Sequence, residues 1–147
     1  MATVVVDDRL LAAVLLRQEP EGLASVRRQG RLFTTGLWYH RLCRALAAGR
    51  VAGTLSSGFL KAPVDVATAA LAAVVRLPAE VGLVSLRDLA WPMGRALTRH
   101  RLNVISLEAL CAAQRLGATL CLAEGNVSPA LVAAASDLGL PVARLGV

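Results

Sequence analysis

Aromatic side chains make up only 3% of this 147-residue chain, so its core has to be built from Ala, Val and Leu. Lysine is almost missing: of 16 basic residues only Lys61 is Lys, and the rest are Arg. No apolar run approaches the roughly 18–20 residues that a spanning helix needs. The longest near-continuous stretch, Val66 to Val75, contains Thr68, which predicts no membrane span. The three cysteines, Cys43, Cys111 and Cys121, form neither an even framework nor a Cys-x-x-Cys pair. They read as reduced, mostly buried thiols of a cytoplasmic protein. A secretory leader is not expected, because the first apolar run meets Asp7, Asp8 and Arg9 almost at once. Glycine-rich nucleotide loops and a Gly-x-Ser-x-Gly nucleophile turn are also missing. His40 and His100 lack metal-ligand spacing with any Cys, and His100, between two arginines, reads as a surface residue.

What is present is apolar and basic. A 56% hydrophobic content and a mean hydropathy of +0.58 argue against disorder, and the length suits one domain over residues 1–147. Sixteen basic against ten acidic residues give +6, which suits an anionic partner. Short β-branched or apolar runs at Thr3–Val6, Arg31–Thr35, Val81–Ser85, Thr119–Ala123 and Val142–Leu145 read as strands. Helical spacing follows Asp8, runs through Leu23 and Val26 to Gly30, and spans Leu37 to Ala48, where Gly49 stops it. It returns from Pro63 to near Pro78, over Leu86 to about Arg99, over Asn103 to Leu116, and over Pro129 to Leu138. Val51 to Ala62, with Gly53, Ser56, Ser57 and Gly58, reads as a surface connection. Strands alternating with helices predict an α/β fold, with a mostly parallel central sheet of four to five strands and helices on both faces.

In such folds ligands bind beyond the carboxyl ends of the strands. The residues to inspect are therefore Asp7 to Arg9, the start of the Leu37 helix, and Glu124 to Asn126. Asp7 or Asp8 could hold a divalent cation through oxygen ligands, and either could equally cap the helix that follows. Glu124 stands at the matching end of the fourth strand, and two carboxylates at the ends of neighbouring strands strengthen the case for metal.

The order of elements, with Val4-Val5-Val6-Asp7, Leu37-Trp38-Tyr39-His40 and Leu116-Gly117-Ala118-Thr119-Leu120-Cys121-Leu122-Ala123-Glu124, resembles a PIN domain. More narrowly it is similar to the small bacterial PIN toxins of toxin–antitoxin pairs, and the ending Ala133 to Leu145 fits that family too. The resemblance covers nearly the whole chain on short, apolar motifs. It implies a ribonuclease whose four acids bind Mg²⁺ or Mn²⁺ to activate water at a phosphodiester. Carried over by position, the first acid is Asp7 and the fourth is Glu124, where Asp is usual. The second falls on His40 and the third on Ser106, so two acids are missing. Arg9 stands where the family has a small hydroxyl residue. Asp8 and Glu108 are candidate replacements, but each faces away from the expected direction, by strand alternation and by about 200° of helix respectively.

Two readings follow. The catalytic set is Asp7, His40, Ser106 and Glu124, with Asp7 and Glu124 as metal ligands, giving an endoribonuclease with weakened or lost cleavage. The alternative is a non-catalytic PIN-like module binding RNA or protein, with Arg9 and Arg44 taking RNA phosphate in place of metal. The resemblance also implies a homodimer and an antitoxin-like protein partner. Val4-Val5-Val6-Asp7-Asp8 looks in addition like the opening of a phosphoacceptor receiver domain. That family needs a second Asp at the end of a central strand, and between Glu21 and Glu80 the only acid is Asp65.

Overall fold

The first strand, β1 (Val4–Val6), is three valines with no solvent exposure, which is what a central strand covered on both faces demands. The computed structural model describes residues 2–48 and 54–147. β1 lies between β2 (Leu32–Thr35) and β4 (Thr119–Ala123), with Val4 opposite both Leu32 and Thr119. The edges are β3 (Val81–Val84), beside β2, and β5 (Val142–Leu145), beside β4. All pairings are parallel, in the order β3-β2-β1-β4-β5. The chain leaves β1 toward one edge and later returns to its other side. The order therefore reverses between β1 and β4, and a crevice opens beyond their carboxyl ends.

One layer holds α1 (Asp8–Leu15), α2 (Glu21–Arg27), α4 (Thr54–Lys61) and α5 (Val64–Val75), which pack Leu10, Leu11, Leu23, Phe59 and Val74 against Val4, Val6 and Cys121. The other holds α6 (Leu86–Leu97), α7 (Val104–Leu116) and α8 (Pro129–Asp137). These bury Ala109, Leu110, Ala113, Leu131 and Ala135 on Val5, Leu120 and Leu122. α3 (Gly36–Ala47) joins both, with Leu42 in the first cluster and Trp38 in the second. With so few aromatics, alanine lets the helices approach closely, and Ala109, Ala112, Ala113 and Ala123 have no exposed surface.

The helix ends follow capping chemistry. Thr35, Ser85, Asn103 and Ser128 accept a backbone N–H in the first turn of α3, α6, α7 and α8. Gly117 closes α7 with φ +58°. Two expectations need correction. The stretch read as a surface connection contains α4: Phe59 is buried, and Gly58 lies close enough to the Leu16 side chain that a Cβ there would sit 3.4 Å from it. Residues 51–53, and Gly49 as a helix stop, fall outside the described residues. α2 ends at Arg27 rather than running to Gly30, because Arg28 turns left-handed with φ 40°.

Candidate functional site

Asp7 is the first residue after β1 and the N-cap of α1. One carboxylate oxygen accepts the Leu10 N–H at 2.9 Å. The other accepts the Ala123 N–H at 2.8 Å and the Asn126 side-chain amide at 3.1 Å. Burial pushes its pKa above the usual carboxylate value, against the lowering effect of these bonds. Asp8 is also fully buried. Its carboxylate takes the Arg41 guanidinium on both oxygens, through Nε and, at 2.9 Å, through Nη2. The same Asn126 amide donates to Asp8 Oδ1 at 3.0 Å, and Asn126 Oδ1 accepts from Arg41 Nη2 at 3.1 Å. Asn126 thus uses both amide hydrogens and its oxygen in one network, Asp7–Asn126–Asp8–Arg41. The bond to Asp8 raises the Arg41 pKa further, so the cation is permanent.

The expected residues do not all arrive here. Ser106 does: it is buried on the first turn of α7 and lines a cleft of about 180 Å³ with Trp38, Arg41, Asn126 and Ser128. Its backbone N–H is held by Asn103 Oδ1 at 2.8 Å, while no bond to its hydroxyl occurs among the described residues. His40 is exposed on α3 and does not line the cleft; a helix turns about 100° per residue, and Arg41 has the inward direction instead. Arg44 is exposed farther along α3. Glu124 is exposed in a single 3₁₀ turn (Glu124–Asn126), with its carboxylate near Gly146. Arg9 lies over Gly125, where a Cβ would run into the guanidinium. Of the four residues that the resemblance groups together, Ser106 alone lines this cleft: Asp7 is fully buried and is linked to it through Asn126, and His40 and Glu124 are exposed outside it.

Neither candidate replacement supplies a missing acid. Asp8 is taken by Arg41, and Glu108, on α7, turns to the start of α3, where Oε1 accepts the Leu37 N–H at 2.8 Å. A hard divalent cation needs several oxygens with lone pairs to spare. Both Asp7 oxygens already accept N–H groups, and both Asp8 oxygens face a guanidinium. Among the described residues no group of three His, Cys, Asp or Glu is placed to hold a metal ion. The donor set does not fit Mg²⁺ or Mn²⁺.

Arg41 and Asn126 were not singled out from the sequence, although a signal existed. Trp38 and Leu42 form the buried stripe of α3, and Arg41 stands three residues after Trp38 on that stripe, whereas His40 does not. Asn126 lay in the window after β4 but carries no charge to draw notice.

No family model and no curated protein matches the chain. Among solved structures it is similar to the crystal structure of PAE2754 from Pyrobaculum aerophilum, with 14% identity and a TM-score of 0.43, over 90% of this chain and 86% of that one.

Proposed function

We propose that this chain is a PIN-like module that binds RNA without cutting it, a phosphate group entering the cleft beside Arg41. The observation that carries this is the Arg41 guanidinium on Asp8, bridged to Asp7 by Asn126. The pair holds a permanent cation on Asp8, which leaves that carboxylate no open oxygen for a metal ion. Arg41 keeps 32% of its side chain exposed, and Ser106 offers a second donor from the cleft wall. Guanidinium and hydroxyl groups suit a phosphate oxygen. Arg9 and Arg44 contribute charge outside the cleft.

The test is to reverse the change. Arg41→Glu with Asn126→Asp returns two acids to face Asp7 and Asp8, and titration calorimetry with Mn²⁺ should show binding in this variant and none in the unmodified chain. Tight Mn²⁺ binding by the unmodified chain, or metal-dependent RNA cleavage that Asp7→Asn abolishes, overturns the proposal in favour of a working endoribonuclease.

The resemblance brings an antitoxin-like protein partner and a homodimer. The second is supported by α5, where Val64, Leu71 and Val75 are 83%, 47% and 76% exposed along one helical face. Among the described residues no helix is long and apolar enough to cross a membrane. The three free thiols favour a reducing, cytoplasmic setting.

A further inference from the structure

A tryptophan left in solvent is unusual, and this chain has one. Trp91 on α6 is 77% exposed, while Trp38 is buried at 3%. Arg87, Trp91 and Arg95 follow one another at four-residue steps, so they share a face of α6. Pro92 has no N–H to return to the helix, and stands exposed beside Trp91. Arg99 and His100 continue past the helix end. Together with Gln114 of α7 they border a groove of about 290 Å³ at Trp91 and Arg95. Between residues 86 and 101 there are four arginines and one acid, Asp88. Among the described residues none of Arg87, Arg95 and Arg99 forms a salt bridge.

This groove is not the cleft beside Arg41. α6, α7 and α8 cross back antiparallel to the strands, so their C-terminal ends lie where the strands begin. The groove uses the last turn of α6 and α7, at the opposite end of the sheet from Asp7.

We infer that the groove beside Trp91 is a binding site for single-stranded RNA, with a base stacked on the indole and phosphates on Arg95 and Arg99. An exposed aromatic face flanked by guanidinium groups is the chemistry of sequence-tolerant single-strand binding. A duplex hides its base faces and cannot use the indole. His100 and Gln114 bring an imidazole and an amide to the groove wall, groups able to bond a ribose 2′-hydroxyl. Arg95 also complements the carbonyl end of α6, a role that needs no aromatic beside it.

The experiment uses the full chain carrying Trp38→Phe, so that all indole emission comes from Trp91, titrated with oligo(U) of about ten nucleotides. Binding should quench that emission. In the otherwise unmodified chain, Trp91→Ala should weaken oligo(U) binding roughly tenfold and Trp91→Phe should restore most of it. Trp91→Ala changes no charge, so such a loss cannot come from general attraction to a basic protein. Arg95→Gln with Arg99→Gln should flatten the slope of log affinity against log salt by about 1.4. Should Trp38→Phe perturb folding, the Trp91 variants alone, read by labelled oligo(U), decide the matter. Equal binding by Trp91→Ala overturns the proposal, as does equal binding of the deoxy strand or of duplex RNA. A dimer that Trp91→Ala dissolves overturns it in favour of a second copy at this face. The groove shares no residue with the cleft beside Arg41, and the Mn²⁺ titration at that cleft reads no RNA, so the two proposals fail separately.

Discussion

At the scale of single residues the deciding contact is Arg41 on Asp8. Asp8 has no exposed surface, so removing its cation leaves a buried charge without a partner. Breaking a buried pair costs roughly 3–5 kcal/mol, and the partial exposure of Arg41 puts Arg41→Met near the lower end. Adding Asp8→Leu should recover more than about 1 kcal/mol, because the orphan charge goes too; urea denaturation midpoints of the three chains check this. Asp7 gives a pH signature. Burial raises its folded pKa above 3.8, so between 3.8 and that raised value the folded chain holds more protons than the unfolded one. Its contribution to stability is best below 3.8, falls as pH climbs through the window, and is lowest above it. Asp7→Asn does not titrate. The stability lead of the unmodified chain over this variant should therefore shrink as pH rises from 3.8, and a lead that grows contradicts the burial argument. For Asp7 the sequence leaves two roles open, metal ligand or helix cap, and the Leu10 N–H on its carboxylate makes it the cap of α1. For His40 and Glu124 motif position is not decisive, because helix direction and turn geometry set which side chain faces inward, and both are exposed.

Among the elements, α7 and α3 are joined by the packing of Trp38 with Ala109 and Leu110 and by one buried carboxylate. Glu108 accepts the Leu37 N–H at 2.8 Å, capping α3 from a helix far away in sequence. Glu108→Ala leaves that N–H without an acceptor and should cost about 1–3 kcal/mol. Glu108→Gln keeps an oxygen but loses the charge that favours a helix N-terminus, so it should cost less, about 0.3–1 kcal/mol plus repacking. Thermal unfolding should rank the two in that order; equal melting temperatures would mean that the contact contributes nothing. The central strands β1, β2 and β4 are legible because a short, mostly buried strand leaves an apolar or β-branched word, whereas the edge strands β3 and β5 are only partly buried and are marked by short apolar runs alone. α4 is not legible, because Ser56, Ser57 and Gly58 lower its helical signal; among its residues of described burial, the buried Phe59 marks the inner face. Its helical state comes from packing beside α1, α3 and α5, which no local pattern reports.

For the whole molecule the question is what covers the apolar surface that one copy leaves in water. The described chain buries its sheet well, yet α5 keeps Val64, Leu71 and Val75 outward, and edge strand β3 keeps Leu83 47% exposed. A fully buried Val or Leu is worth roughly 1.5–3 kcal/mol, so a two-fold pairing that repeats this stripe on both copies gathers enough to offset association costs only modestly. Dimerisation at micromolar concentration is the expected outcome. Val75→Glu should abolish it, since each interface would then bury two carboxylates facing like charge, and Leu71→Glu should do the same. Sedimentation velocity across a concentration series measures this directly. Ser25→Glu, an exposed substitution on α2, controls for added charge and should leave the dimer intact. A monomer at every concentration would leave the α5 face to a different protein, and the antitoxin-like partner implied by the family resemblance would then have to account for it.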